Sequence, residues 1–199
     1  MKKSTYLISF IFLITLFASA PLHAQLSVQL GANINSARFE FEDVDQTPTL
    51  SSFTHLNAGL YYTIGTGNFQ VIPGLLYSVK GFDQRNHSKF TFNYVELPVL
   101  GAYTLELFEG FRVQANAGLY LGYMLGGEVN PPNSSDPTDI DFDRDYNRMD
   151  MGYQYGLSVI YNQFKLGLQF SGGLIDISKR NNWDVKTRVT AVNVGYYLW

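Results

Sequence analysis

The chain of 199 residues contains no cysteine, so neither disulfides nor thiolate metal sites are open to it. Positive charge is also in short supply. Fourteen Lys and Arg stand against 17 Asp and Glu, a net charge of -3, which argues against the basic surface that a nucleic-acid partner requires. Histidine is scarcer still, and beyond the N-terminal leader there are only His55 and His87. Neither has a nucleophile and an orienting group at catalytic spacing, so both read as solvated and no catalytic residue is expected. No phosphate-binding glycine motif is present, and no segment approaches the roughly 20 apolar residues of a spanning helix.

What the chain does have is aromatic and glycine content: 14 Tyr, 15 Phe and 18 Gly. Its mean hydropathy of -0.06 is that of a soluble or mixed protein. A membrane β-barrel reaches the same average, because lumen-facing polar residues dilute the lipid-facing ones. At the N-terminus, Lys2 and Lys3 precede an apolar stretch over 6–17, then Ala18, Ser19 and Ala20, then Leu22-His23-Ala24-Gln25. This is the layout of a secretory signal peptide cut after Ala24. The expected organisation is a signal peptide over 1–24 and one barrel domain over 25–199. With no cysteine near the cut, a lipoprotein anchor is excluded.

Strict alternation dominates the rest. Phe111, Val113, Ala115, Ala117, Leu119, Leu121, Tyr123 and Leu125 alternate with Arg112, Gln114, Asn116, Gly118, Tyr120 and Gly122, the period of a strand with one apolar and one wet face. Its length suits a tilted bilayer crossing, which takes about 9–11 residues. Seven more segments follow the same rule, at 26–35, 53–64, 69–82, 90–105, 149–161, 164–177 and a last one ending at Trp199. Pro73 and Gly74 interrupt the third, and Ile72 and Leu76 fall on its nominally polar side. Connections after strands two, four and six are short, whereas those at 36–52 and 128–148 are long, as in outer-membrane barrels. A soluble eight-stranded barrel such as a lipocalin would turn the apolar face inward around a ligand. The leader, strand length, aromatic load and loop asymmetry favour the membrane version. The expected fold is therefore all-β: an eight-stranded antiparallel up-and-down transmembrane β-barrel.

The runs 75–83 (LLYSVKGFD), 94–103 (YVELPVLGAY) and 117–127 (AGLYLGYMLGG), with Asp150-x-Gly152 and Gly156, resemble the PorT-like outer-membrane β-barrel domain family of Bacteroidota. The resemblance covers essentially the whole mature chain. It implies an eight-stranded barrel in the bacterial outer membrane; most members have no assigned biochemical role, and one branch is linked to secretion machinery. One departure is at the C-terminus, Tyr197-Leu198-Trp199, where members commonly end in a Tyr-x-Phe signal. The register of 195–199 is left open to a bulge.

Six charges fall on the polar rows and are candidates for the lumen: Lys80, Glu96, Arg112, Asp150, Lys165 and Arg188. Strand direction puts Lys80 and Glu96 on neighbouring strands in the outer half, Asp150 and Arg188 near the outer rim, and Arg112 and Lys165 near the periplasmic end. A Lys80–Glu96 pair would add conformational specificity more than net stability; the bland alternative is a hydrated plug. Asp139, Asp141, Asp143 and Asp145 alternate in the longest loop, and carboxylates suit Ca²⁺. The glycine such a loop needs at its sixth position is missing, with Tyr146 in its place. Solvated loop charge is the better reading, and no metal or cofactor is expected.

Function is then expected to be structural or interactive, through the outward loops 36–52 and 128–148, with outer-membrane lipid and lipopolysaccharide as surroundings. A protein partner would contact the loops or the periplasmic turns, and the barrel itself would be a monomer. The alternatives are an accessory subunit of a secretion complex or a small pore.

Overall fold

The computed structural model describes residues 25–40, 50–51, 53–84, 89–130, 138–139, 147–176 and 184–198. The signal peptide at 1–24, His87, and Asp141, Asp143 and Asp145 lie outside them. Eight long strands run through the described residues: β1 (Gln25–Glu40), β2 (Phe53–Thr63), β3 (Phe69–Gln84), β4 (Lys89–Phe108), β5 (Phe111–Asn130), β6 (Met149–Tyr161), β7 (Phe164–Gly173) and β8 (Asp184–Tyr197). Each pairs antiparallel with the next, and β8 pairs with β1 from Ser27↔Tyr197 to Glu40↔Asp184, which closes the barrel. Closure leaves no free sheet edge. The two-residue pieces Leu50–Ser51 and Thr138–Asp139 pair with the loop-side ends of β3 and β5. Asp139 thus lies on a ladder, with its backbone opposite Glu128.

Strands reach beyond the expected ends on the loop side. β1 continues to Glu40 and β5 to Asn130, into segments expected to be loop, whereas β7 stops at Gly173 rather than 177. Hydrogen-bonded pairing such as Lys89↔Asn130 persists there, because a ladder needs backbone partners and not an apolar face. The last strand holds a continuous register to Tyr197 with no bulge, opposite both Ser27 and, at Tyr196, Phe164. At the other end the hairpins are tight. Gly110 takes φ 76° and Asn162 φ 53°, a region open to glycine and tolerated by Asn. Asn162 N–H donates to Gly110 O at 2.8 Å or less, namely 2.7 Å, tying the two neighbouring turns together.

The alternation sorts side chains onto two faces. Leu30, Leu56, Leu97, Leu119, Leu157, Leu166 and Val194 point outward and are exposed. Such an unbroken apolar wall far exceeds the few hundred Å² that soluble proteins tolerate. Around the hairpin end it is rimmed by rings: Phe69 packs on Tyr103 with centroids 4.7 Å apart, Phe108 on Phe111 at 4.6 Å and Phe164 on Tyr196 at 5.2 Å. This is the aromatic girdle of a bilayer interface.

Inside, the barrel is filled. Tyr94, Tyr120, Phe92, Met124 and Ile160 are among its largest buried side chains, and Tyr61, Ile72, Leu100 and Ala102 form an apolar cluster on the wall of β2, β3 and β4. An eight-stranded barrel is just wide enough for side chains to fill it. Inward aromatics gain room from glycines directly opposite. Tyr61 faces Gly74, and Tyr120 faces Gly152. A Cβ on either glycine would run into the facing ring.

Candidate functional site

The inner row of β3 delivers Lys80, that of β4 delivers Tyr94 and Glu96, that of β5 Tyr120, and that of β6 Asp150 and Gln154. Lys80, Glu96 and Asp150 are only 2%, 1% and 1% exposed. Lys80 Nζ lies 2.9 Å from Glu96 Oε1 and 3.3 Å from Asp150 Oδ2. The same ammonium sits 4.7 Å from the Tyr94 ring centroid and 4.5 Å from that of Tyr120, so two electron-rich faces complete its shell.

Both carboxylates are held by further donors, Asp150 on the same oxygen that faces Lys80 and Glu96 on its other one. Tyr120 O–H donates to Asp150 Oδ2 at 3.0 Å, and Thr187 Oγ1 lies 3.5 Å from the same oxygen. Gln154 Nε2 donates to Glu96 Oε2 at 3.2 Å. The ladder explains how two acids reach one base: Glu96 pairs with Gly122, and Gly122 with Asp150. The strand between the carboxylates carries no side chain at that level. A Cβ on Gly122 would stand 3.5 Å from Asp150 Cβ and 3.5 Å from Tyr94 Cδ1. Asp150 Oδ1 and the Tyr94 hydroxyl have no hydrogen-bond partner among the described residues. One ammonium therefore serves two buried carboxylates, and the cluster is short of positive charge.

A second network occupies the periplasmic end. Gln114 Nε2 donates to Gln70 Oε1 at 3.2 Å and Thr104 Oγ1 at 3.0 Å, while its Oε1 accepts from Lys165 Nζ at 3.0 Å. Arg112 donates to the Asn162 carbonyl at 3.1 Å and lies 5.7 Å from the Tyr197 ring. Lys80, Glu96 and Asp150 are thus brought together, and Lys165 and Arg112 share the opposite end.

Arg188 is not in the lumen, and this corrects the sequence reading. It is exposed and pairs with Gly172, on the outward face. The inner row of β8 is Thr187, Val189, Ala191, Asn193, Gly195 and Tyr197, whereas Val192 and Val194 face outward. The outward row of β8 is polar near the rim and apolar lower down, so its upper half resembles a lumen row. Tyr94, Tyr120 and Gln154 stood on the polar rows in sequence but carried no charge to single them out. Thr187 offered no signal at all without the register of β8. His55 is partly buried on the inner row of β2, with its Nδ1 3.0 Å from Asn35 Nδ2.

Comparison with known proteins bears on the whole chain. The profile of a family described as outer membrane protein beta-barrel domain matches residues 2–179. Among solved structures, Ail of Yersinia pestis is 13% identical, with 88% of this chain and 100% of Ail covered and a TM-score of 0.44. OprG of Pseudomonas aeruginosa is 12% identical over 88% of this chain and 95% of its own, at a TM-score of 0.49. The outer membrane enzyme PagL is 9% identical over 84% and 98%, also at 0.49. A comparison with curated proteins finds no match.

Proposed function

The chain belongs to the outer membrane protein beta-barrel domain family, and from that premise we propose that it is a non-catalytic interaction protein that meets its partner through its outward loops, 36–52 and 128–148. Its place is the outer membrane. The observation that carries this reading is the filled lumen. Buried Tyr94, Tyr120, Phe92 and Met124 in the outer half, and the Tyr61–Ile72–Leu100–Ala102 cluster below, leave the barrel better suited to holding loops than to passing solutes. The wall is committed to lipid, so chemistry directed outward falls to the loops.

The finer placement in the PorT-like group of Bacteroidota rests on the runs 75–83, 94–103 and 117–127 and on Asp150-x-Gly152. These segments supply Lys80, Tyr94, Glu96, Tyr120, Gly122 and Asp150, the residues of the lumenal cluster. In this reading the cluster holds the barrel in one register beneath the loops. The barrel acts as a monomer, and Arg188 stands outward at the outer rim.

Replacement of 36–52 or 128–148 by a short Gly-Ser hairpin tests the reading. Insertion into the outer membrane, followed by heat-modifiable migration in gels, should survive both replacements. Partners cross-linked to the intact protein on whole cells should be lost with one or both. Undiminished cross-linking after both replacements would move the contact to the periplasmic turns and favour a secretion-complex subunit.

A further inference from the structure

The two networks in the lumen carry opposite imbalances. In the outer half, one ammonium faces two carboxylates. At the periplasmic end Lys165 and Arg112 have no buried carboxylate beside them: those of the described lumen are Glu96 and Asp150, both committed to Lys80. We propose that the periplasmic mouth of the lumen is a binding site for a small phosphate-class oxyanion, held between Lys165 and Arg112.

The backbone sets these two cations on one level. Arg112 pairs with Ile160 and Ile160 with Lys165, so they stand two strands apart on the inner face. Next in the same row comes Gly195, opposite Lys165 and Gln29. Lys165 is 8% exposed, yet its ammonium has one neutral partner, Gln114 Oε1 at 3.0 Å. Gln114 is itself held by Gln70 and Thr104, so the lysine is positioned before any ligand arrives. An ammonium carries three donors and a guanidinium five. One of each is used, the arginine's on the Asn162 carbonyl at 3.1 Å.

A buried cation without a counter-charge is costly, and an oxyanion supplies the missing charge and several acceptors at once. Phosphate suits the pair better than a halide, because guanidinium offers forked donors matched to tetrahedral and carboxylate oxygens. Access runs from the periplasm, since Arg112 is partly exposed at the mouth, whereas Lys165 on the same row is buried. On β4, Leu100 and Ala102 of the apolar cluster lie between Thr104 of this network and Glu96 of the outer one. Glu106, opposite Arg112 in the ladder, is exposed at the hairpin.

Calorimetric titration of the folded barrel in detergent micelles, with inorganic phosphate replacing chloride at constant ionic strength, tests the proposal. A saturable heat is expected, and Lys165→Met and Arg112→Gln should each weaken binding about tenfold or more, the loss of one charge-assisted contact. Arg188→Gln, which removes the same charge from the outer rim, should leave it unchanged. Glycerol phosphate is the second probe. Binding comparable to that of phosphate would make a phosphorylated end of a larger molecule the ligand, and binding of phosphate alone would make it the free ion. No saturable heat from either probe, or an affinity in both mouth variants equal to that of the unaltered barrel, overturns the site. Should Lys165→Met fail to fold, Arg112→Gln against Arg188→Gln decides alone.

Discussion

At the scale of single residues, the lumenal cluster is an unequal exchange of charge, and the inequality ranks its variants. Lys80→Met leaves Glu96 and Asp150 buried on either side of Gly122 with no cation between them. Uncompensated buried charge of this kind costs about 3–5 kcal/mol. Glu96→Gln keeps a hydrogen-bonding group near Gln154 and leaves Lys80 paired with Asp150, so its cost should be about 1 kcal/mol. Urea unfolding midpoints in lipid vesicles measure both. Equal losses would show that the cluster is hydrated rather than closed. Much of this site was legible in sequence: period-two alternation placed Lys80, Glu96 and Asp150 on inner rows, and strand direction placed the first two side by side. That Asp150 joins them was not legible, because it depends on Gly122 of an intervening strand. Arg188 was misplaced because a rim row and a lumen row look alike when both are polar.

At the scale of strands, the barrel's seams differ. The β4–β5 ladder runs from Lys89↔Asn130 to Phe108↔Phe111, with register shifts near Asn93 and Glu106. The β2–β3 ladder is continuous only from Asn57↔Ser78 to Tyr61↔Gly74. Above it, the Val79 carbonyl accepts from side chains of β1, Asn33 Nδ2 at 3.3 Å and Asn35 Nδ2 at 3.4 Å. Side-chain amides that reach across a neighbouring strand hold a seam less cooperatively than a backbone ladder does. Backbone amides of 54–56 and 79–82 that face this seam should therefore exchange with deuterium faster than those of β4 and β5 at the same depth. Uniform protection around the barrel would show that the seam is as tight as the others. The sequence signalled disorder of pattern in β3 through Pro73 and Gly74. Proline donates no ladder hydrogen bond, and the β3–β4 register indeed passes from Pro73↔Val99 to Leu76↔Glu96.

At the scale of the whole molecule, the lumen holds an acid-rich cluster in its outer half, an apolar cluster on the wall of β2, β3 and β4 below it, and a basic mouth. With Tyr94, Tyr120, Phe92 and Met124 buried in the outer half and Tyr61, Ile72, Leu100 and Ala102 below them, the barrel should show no discrete openings in planar bilayers. Leu100→Gly, which removes one of these buried side chains, should be the variant that admits ions; open-channel steps from the unaltered barrel would refute the plug. The sequence by itself determined the strand count, the membrane-facing wall and the short-turn end, because a pleated strand sends alternate side chains to opposite faces and lipid demands that one of them be apolar. Only the tertiary structure decided which polar residues meet. Closure of the ladder from β8 onto β1 sets every strand's register, and register alone brings Lys80, Glu96 and Asp150 to one point while turning Arg188 to the outside.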